Sequence, residues 1–554
     1  MKKVLFLALC VGFMIPAMAQ IQPNRHRVVF TDKIGTPYTI SNPSAFLTAR
    51  SIQRRNQAGV VVTAQDLPIT PAYLDSINST GVKILARSKW MNSVVIKTTD
   101  AVALAKIASF PFVTSVTLVG QSQKKSPGDV IFEVSNQKEN APVFKKNGKS
   151  YDYGQAYTQI NMIGGDILHD QGFRGQGKVI AVLDAGFQAA NTIDALDSLF
   201  NENRVLGTHD FVKDSSFVFA YSTHGTCVLS IMAANYPTLM IGTAPKASYW
   251  LLRTEDAANE YVVEEDFWVA GAEFADSVGA DIINSSLGYT VFDDISQNHT
   301  YAMMDGNTNL VTRGADLAAS KGILVVLSAG NEGDGAWHYV GAPGDADSAL
   351  TIGSVGLAGA YSYFSSTGPS YDKRIKPDVV AVGEGTTFAD SFNNISSGNG
   401  TSFSSPVIAG MTACLWQANP TMTAQQIALA IRKSASQYSH PDSLLGYGIP
   451  NFGMASIILS GLELDHFSEN SLINAFPNPF SDQLNVLFFS SDTQTVVIEL
   501  LDQSGKRVSV AEKYFKPNGY YSITMPDIAK LSSGVYILKI TSDKKKYTRK
   551  LVKQ

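Results

Sequence analysis

The sequence has little cysteine, little net charge and no long internal apolar run. Its 554 residues include three cysteines, which excludes a small domain held together by disulfide bonds. The 44 Lys and Arg residues nearly balance the 48 Asp and Glu residues, and the net charge of −4 argues against nucleic acid as a partner, because nucleic-acid-binding proteins usually carry a basic excess. No internal stretch reaches the ~18 apolar residues of a membrane-spanning helix. The chain length, at about 150 residues per domain, instead predicts three or four globular domains.

The first 19 residues have the features of a secretory signal peptide. A lysine pair at positions 2 and 3 precedes an apolar run over 4–15, and Ala17-Met18-Ala19 has the small residues after which a signal peptidase cuts. An N-terminal membrane anchor is the alternative, but the apolar run is too short for it. Cys10 would be lost with the signal; its lipidation is a further alternative, although the residue before it is large.

The rest of the chain changes its pattern three times. Residues 20–120 mix short strand-like runs with two helical segments, an Arg-rich one over 43–57 and another over 101–108. The segment 121–150 has the Lys, Pro, Gly and Asn content of a linker. In 151–460 short apolar runs alternate with helical patterns, which predicts an α/β domain with a doubly wound parallel sheet buried on both faces. From 467 to 554 alternating strands and turns predict a small antiparallel β-sandwich. The polar stretch 461–470 reads as a connector, which predicts few contacts between this domain and the one before it.

Two short motifs in the middle segment carry residues suited to catalysis. Asp184 directly follows the buried strand 179–183, and catalytic groups gather at the carboxyl ends of such strands. His224 lies in Thr223-His224-Gly225-Thr226, at the start of an apolar helical run. Taken alone, Asp184 is better interpreted as a cap for the next element than as a catalytic group. His224 alone is equally well interpreted as a buried core histidine or as a catalytic base.

Two further motifs add a hydroxyl and an amide. Ser402 lies in Gly398–Pro406, at a predicted helix N-terminus where the dipole favours developing negative charge, and Pro406 suits the first turn of that helix. Asn331 follows the buried strand 323–327 and could donate a hydrogen bond to an oxyanion. Taken alone, Ser402 reads as a helix cap and Asn331 as a turn residue.

Together, the order Asp184, His224, Asn331 and Ser402 resembles that of the subtilisin-like serine proteases (subtilases), over about residues 155–460. The triad residues of subtilisin follow one another along the chain in the same order. The resemblance implies that Asp184, His224 and Ser402 form the catalytic triad and that Asn331, with the backbone N–H of Ser402, forms the oxyanion hole. It also implies a substrate-binding set: Ser286, Leu287, Gly288, Gly330 and Gly341.

Some positions depart from the subtilase pattern. Ala185 stands where most members have Ser or Thr, so one hydrogen bond to Asp184 is expected to be missing. A long insertion over 289–309 could wall or cover the cleft, and the absence of an acid near Gly341 favours an apolar specificity pocket. The chemistry requires no cofactor or metal. Residues 305–309 have calcium-like spacing but lack the glycine of a hand motif, so a structural calcium is an open alternative there.

The flanking segments resemble export and maturation domains. Residues 25–120 resemble the inhibitory propeptides of secreted subtilases, so 20–150 is expected to hold a small α+β propeptide domain and a linker; an ordinary accessory domain is the alternative. The tail resembles the sorting domain of the type IX secretion system, on the motifs at 475–480, 534–539 and 550–554. The implied partners are protein or peptide substrates, the chain's own propeptide and the type IX machinery. The implied location is outside the cell or on its surface, reached through the periplasm.

The predicted function is therefore a secreted serine endopeptidase made as a zymogen. A catalytically inactive relative that acts as a surface binding module is one rival. A lipase or esterase of the α/β-hydrolase fold is another, but it needs Gly-x-Ser-x-Gly and the residue order Ser, Asp, His. A cysteine hydrolase based on Cys227 would place the nucleophile three residues after its base on one helix, which is poor geometry. For Cys227 and Cys414 we expect two buried free thiols rather than a disulfide.

Overall fold

The computed structural model describes residues 24–120, 152–461, 465–468, 471–490, 494–515, 519–542 and 546–554. The predicted signal peptide (1–19) and the predicted linker (121–150) lie outside these residues. No helix in the described ranges has the length and apolar character needed to span a membrane.

The first domain is an antiparallel sheet with three helices. The strands are β1 Asn24–Phe30, β2 Lys83–Ser88, β3 Ser93–Thr98 and β4 Val113–Gly120, in the order β2-β3-β1-β4. The helices are α1 Ala49–Gln57, α2 Pro71–Asn78 and α3 Ala101–Ala108. The predicted helix over 43–57 is therefore shorter than expected: Pro43–Ala45 forms a 3-10 turn, and α1 begins only after Thr48, whose side chain caps it.

The central domain confirms the predicted α/β class. Its seven-stranded parallel sheet has the order β13-β12-β11-β10-β5-β9-β6, and helices cover both faces. The sheet strands are β5 Val179–Asp184, β6 Val205–Asp210, β9 Ser248–Arg253, β10 Ile282–Ser285, β11 Leu324–Ser328, β12 Leu350–Val355 and β13 Val379–Val382; short strands are β7 Asn235–Tyr236, β8 Met240–Ile241, β14 Thr386–Ala389 and β15 Ile395–Gly398. The helices are α4 Tyr157–Asn161, α5 Gly165–Asp170, α6 Asp197–Asn201, α7 His224–Ala233, α8 Val263–Val278, α9 Leu310–Ser320, α10 Thr401–Ala418, α11 Ala424–Lys433 and α12 Phe452–Leu459.

The centre of this domain is almost entirely apolar. All six residues of β5 are buried, as are all ten of α7. Such strands read as continuous apolar runs because helices cover both of their faces. This burial fixes the carboxyl end of β5, and with it Asp184, in a rigid frame.

The tail folds into two four-stranded antiparallel sheets. The first has the order β16-β17-β18-β21 and the second β20-β19-β22-β23, with one apolar core drawn from both. The strands are β16 Asp465–Ser468, β17 Ser471–Phe476, β18 Asn485–Ser490, β19 Gln494–Leu501, β20 Arg507–Phe515, β21 Gly519–Thr524, β22 Gly534–Ser542 and β23 Lys546–Lys553. This arrangement confirms the predicted antiparallel β domain.

The tail also touches the central domain, which the sequence did not suggest. Leu487 and Phe476 pack against Met454 and Ile457 of α12, and Leu487 is buried there. The polar stretch after Gly461 predicted few contacts between the two domains. A small apolar seam nevertheless joins them.

Candidate active site

Asp184 and His224 form a buried hydrogen-bonded pair at the end of β5. His224 Nδ1 lies 2.8 Å from Asp184 Oδ1, and both side chains are buried. Because an ionised carboxylate only accepts, Nδ1 carries the proton, and Nε2 is left as the basic nitrogen. The backbone N–H of Ala185 donates to the same Oδ1 at 2.8 Å. Asp184 Oδ2 has no hydrogen-bond partner among the described residues, in line with the missing bond expected from Ala185.

A close approach between α7 and β5 brings the pair together. Gly225, the second residue of α7, lies so near Gly186 and Asp184 that an added Cβ would come 2.4 Å from the carbonyl oxygen of Gly186. A side chain at this position would push the helix away from the strand. The glycine of the Thr223–Thr226 motif therefore allows His224 to reach Asp184.

Ser402 is the second residue of α10. A proline further along this helix deprives the Ser402 carbonyl of its helical hydrogen bond. The sequence had suggested that Pro406 lies in the first turn of the helix, but it lies further inside α10. Without an N–H, Pro406 cannot donate to the carbonyl four residues earlier, which is that of Ser402. Ser286 Oγ donates to this carbonyl instead, at 2.8 Å, and Ser402 Oγ donates to the Ser286 carbonyl at 3.2 Å. The serine is thereby tied to the predicted substrate-binding strand.

Asn331 is held by the residue before Ser402. Its Oδ1 accepts from the Thr401 backbone N–H at 2.8 Å and from Thr401 Oγ1 at 3.0 Å. Thr401 Oγ1 in turn accepts from the Gly330 N–H at 3.1 Å. Since Oδ1 is fixed by two donors, the amide nitrogen of Asn331 is oriented away from Thr401.

One cleft of about 260 Å³ collects these groups. Its lining includes His224, Ser402 and Asn331, with Asp184 buried behind His224. Every predicted substrate-binding residue also lines it: Ser286, Leu287, Gly288, Gly330 and Gly341. Of the predicted insertion, Thr290 lines the cleft, while Tyr289, Phe292 and Met304 are buried in the core.

Sequence reasoning missed an acidic part of the cleft. Glu255, Asp256 and Glu260 line it, on the segment that follows β9. β9 is a neighbour of β5, and both strands end at the same edge of the sheet. The strand-end argument that located Asp184 would have found Glu255 and Asp256 as well, had it been applied to β9.

Both thiols in the described residues are buried and free, as expected. Cys227 packs in the apolar core, and burial raises the pKa of its thiol well above the usual range. Burial raises the pKa of Cys414 in the same way. A reactive cysteine needs a lowered pKa, so the cysteine-hydrolase alternative loses its nucleophile.

The loop at 305–309 does not fit a calcium ion. Asp305 Oδ1 accepts the N–H groups of Asn307 and Thr308, at 2.9 and 2.8 Å, and Oδ2 accepts Thr308 Oγ1 at 2.8 Å. The guanidinium of Arg374 lies beside Gly306 in the same loop. The Asp305 carboxylate thus already accepts from local donors, and the loop already packs against a guanidinium group.

The first domain docks on α8 through buried ion pairs. Arg27 makes a bidentate pair with Asp266, with N–O distances of 2.6 and 2.7 Å. Arg54 and Arg55 both donate to Asp276, and the backbone N–H groups of Lys89 and Trp90 donate to Glu273. Burial raises the pKa of Glu273 to about 7. The interface is therefore polar, charged and largely closed to water.

Comparison with known families finds a match for three separate segments of the chain. Residues 175–448 match the Subtilase family, residues 25–131 match the peptidase S8 propeptide domain of Bacteroidota, and residues 474–554 match a secretion system C-terminal sorting domain.

Individual relatives resemble the central part. Subtilisin DY from Bacillus licheniformis is 29% identical over 50% of this chain and 90% of its own length, and subtilisin E from Bacillus subtilis (strain 168) is 29% identical over 55% and 73%. The crystal structure of MycP1 from the ESX-1 type VII secretion system covers 57% of this chain and 88% of its own, with 21% identity and a TM-score of 0.42.

The three matched segments follow one another in the order expected of an exported precursor. The propeptide match supports synthesis as a zymogen, and the sorting domain indicates secretion or attachment at the cell surface. The chain is therefore a subtilisin-like serine endopeptidase made with a propeptide and a C-terminal sorting domain, and its residues 175–448 belong to the Subtilase family.

Proposed function

We propose that Asp184, His224 and Ser402 are the catalytic triad of this endopeptidase. The observation that carries the proposal is the 2.8 Å hydrogen bond between His224 and the buried Asp184, in the cleft that Ser402 also lines. Asp184 holds the imidazole with its proton on Nδ1 and stabilises the imidazolium that forms during the reaction.

Ser402 attacks the peptide carbonyl carbon through Oγ. Its hydroxyl donates to the Ser286 carbonyl in this structure, so the O–H group turns from this carbonyl to His224 Nε2 before attack. As the Oγ–C bond forms, the hydroxyl proton passes to His224 Nε2 and the carbonyl electrons move to oxygen. The tetrahedral species collapses, the C–N bond breaks, and His224 gives the proton to the leaving amine. Water then hydrolyses the acyl-enzyme by the same steps in reverse order.

Asn331 and the backbone N–H of Ser402 stabilise the oxyanion. The support is the clamp on Asn331 Oδ1, which leaves the amide N–H groups to donate elsewhere. The N–H of Ser402 lies in the first turn of α10, where backbone donors and the helix dipole both favour negative charge. Donors fixed before the reaction need no reorganisation as charge develops.

The cleft binds an extended peptide along Ser286, Leu287 and Gly288. Gly330 and Gly341 complete the contact surface and leave room for the side chain just before the scissile bond. We assign that pocket an apolar preference. Trp337, which also lines the cleft, adds apolar surface to it.

The proposal also sets domain limits and partners. Residues 1–19 are the signal peptide, 20–150 the propeptide and linker, 151–460 the catalytic domain, and 467–554 the sorting domain. The propeptide inhibits the enzyme until it is removed, the sorting domain binds the type IX machinery, and proteins or peptides are the substrates. No nucleic-acid partner is proposed. The reaction needs no cofactor, and we assign no calcium to the loop at 305–309, because Asp305 is satisfied there by local donors.

Replacement of Ser402 tests the proposal. Ser402→Ala should abolish peptide hydrolysis and leave the propeptide attached, since one site performs both cleavages. Ser404→Ala is the matched control, because this buried hydroxyl of the same helix bonds only the Thr401 carbonyl among the described residues. A Ser402→Ala protein that is processed and active would show that another residue is the nucleophile.

A further inference from the structure

Arg253, the last residue of β9, is fixed beside the loop that follows Asp184. Its side chain is buried, and its Nε donates to the carbonyl of Ala185 at 3.1 Å. Its Nη1 donates to both carboxylate oxygens of Asp210, at the end of β6, over 3.2 and 3.0 Å. The guanidinium group therefore joins the ends of two strands to the residue next to Asp184.

The contact with Ala185 bears on the orientation of Asp184. The backbone N–H of Ala185 donates to Asp184 Oδ1, the same oxygen that accepts from His224 Nδ1. Arg253 holds the carbonyl of this residue. Because both backbone groups of Ala185 are engaged, Arg253 restricts the rotation of a residue that orients the Asp184 carboxylate.

The same guanidinium group contacts the segment that leads into α7. Its central carbon lies 3.9 Å from the centroid of the Tyr221 ring, within the ~6 Å range of a cation–π contact. Ser222 follows Tyr221, and its Oγ accepts the N–H of His224 at 3.2 Å. Lys213 Nζ also lies 4.2 Å from the ring, but Lys213 is exposed, where such contacts are weaker. The buried Arg253 is therefore the stronger partner of Tyr221.

Tyr221 has a backbone conformation that a bulky residue seldom adopts. Its φ is +77°, in the left-handed region, where a residue with a Cβ is disfavoured. Such residues persist where the surrounding contacts require them, and they cluster at active sites. The side chain is 39% exposed, so burial supplies only part of what holds it. The contact with Arg253 gives a physical reason for an aromatic ring at this position.

The loop after β5 and the segment before α7 also touch through their backbones. An added Cβ at Gly186 would lie 2.4 Å from the carbonyl oxygen of Ala220 and 2.8 Å from the backbone nitrogen of Ser222. The N–H of Gln188 donates to the Ser222 carbonyl at 3.0 Å. A shift of one segment therefore displaces the other.

We propose that Arg253 and Tyr221 are positioning residues of this active site. Together they keep the loop after β5 and the segment before α7 at the separation at which Asp184 and His224 form their hydrogen bond. The inference rests on the proposed function, because positioning matters only if this pair activates Ser402. Neither side chain is among the residues that line the cleft. Their loss should therefore lower kcat and leave KM unchanged.

Three substitutions of Tyr221 test the ring contact in the processed enzyme. Tyr221→Leu removes the aromatic face and should lower kcat about tenfold, a moderate loss for a displaced catalytic group, since the backbone contacts remain. Tyr221→Phe keeps the face and should retain most of kcat. Tyr221→Gly adopts the same φ without strain but has no ring, so its kcat should fall as far as that of Tyr221→Leu. Tyr438→Leu, at a tyrosine that is 40% exposed, is the matched control and should keep kcat.

Replacement of Arg253 tests the other partner. Lysine lacks the planar set of N–H groups that serves Ala185 and Asp210 together, so Arg253→Lys should lower kcat at least as far as Tyr221→Leu. In the double variant, Tyr221→Leu should lower kcat less than it does alone, because the two side chains act through one contact. If Arg253→Lys does not fold, the Tyr221 series decides the question.

Several results would overturn the inference. The kcat of Tyr221→Leu could equal that of the wild type, or Tyr221→Phe or Tyr438→Leu could lose as much as Tyr221→Leu. Tyr221→Gly could match the wild type, in which case the ring has no role. Alternatively, KM could rise at constant kcat, which would make Tyr221 a substrate contact.

Covalent labelling separates these outcomes from failure of the proposed function. The rate at which a fluorophosphonate labels Ser402 does not depend on peptide binding, and it should follow kcat across the Tyr221 series. A labelling rate that stays constant while kcat falls would also contradict positioning. If the wild-type enzyme is not labelled on Ser402 at all, the proposed function itself fails.

Discussion

Asp276 of α8 is the carboxylate on which two propeptide arginines converge, and its removal should loosen the propeptide. Its Oδ1 accepts from Arg54 at 2.5 Å, and its Oδ2 accepts from Arg55 at 2.7 Å. All three side chains are at most 4% exposed. We therefore expect Asp276→Asn to leave two buried guanidinium groups with less countercharge.

The size of the effect follows from what each arginine retains. Breaking a buried ion pair by removing one partner costs about 3–5 kcal/mol. Arg55 keeps Asp66 at 2.9 Å, and Arg54 keeps the carbonyl of Ala280 at 2.5 Å, so the lower end of this range applies. A loss of about 3 kcal/mol corresponds to about a 10²-fold weaker association between propeptide and catalytic domain.

Hydrogen exchange in the native state measures this loss. The substitution is made in a full-length Ser402→Ala chain, so that the propeptide stays attached and uncut. The opening free energy of α1 amides should fall by about 3 kcal/mol, while that of α10 amides stays the same. Asp197→Asn, at an exposed aspartate of α6, provides the control. A loss at α1 below about 1 kcal/mol would refute the reasoning, as would an equal loss at α10, since the ion pairs would then not hold the propeptide in place.

Three other changes have defined outcomes. Asn331→Leu should lower kcat about 10²–10³-fold in steady-state assays with little change in KM, because the substitution removes a donor used mainly in the transition state. An unchanged kcat would exclude Asn331 from the oxyanion hole. When the propeptide is docked, Glu273 has a pKa of about 7, above its ordinary value of 4.5. The docked state therefore binds more protons between pH 4.5 and 7, and propeptide docking should weaken as the pH rises through this window. Hydrogen exchange at pH 5 and 8 should detect this, and Glu273→Gln should abolish it; a docking strength that rises with pH would contradict it. A chain that ends at Gly461 should keep its peptide hydrolysis rate but should no longer be exported to the medium. It should also lose about 1–3 kcal/mol of unfolding free energy, because Met454 and Ile457 become exposed. Loss of hydrolysis in the folded truncated protein would make the tail part of the catalytic fold.

The sequence predicted best where burial is complete. The predicted strand 179–183 differs from β5 by one residue, because a strand covered on both faces is a continuous apolar run. The helix predicted over 101–108 is observed without change. Asp184 and His224 could be located because each lies at an end of such an element.

Contacts between residues far apart in the chain could not be predicted from the local sequence pattern. The arginines of α1 were visible as a cluster, but their partner Asp276 lies more than 200 residues away and on another domain. Pro406 suggested a first helical turn, whereas the helix continues around it because Ser286 satisfies the freed carbonyl of Ser402. The seam between Leu487 and α12 joins residues that no local pattern relates. In each case the deciding partner is remote in the chain.

Mapping of a covalent label tests the central claim most directly. The processed protein is treated with a fluorophosphonate, which reacts with activated serines, and is then digested and analysed by mass spectrometry. The account predicts one adduct, on Ser402, which is absent in His224→Ala and undiminished in Ser404→Ala. An adduct on any other residue, or full peptide hydrolysis by a protein whose Ser402 remains unlabelled, would contradict it.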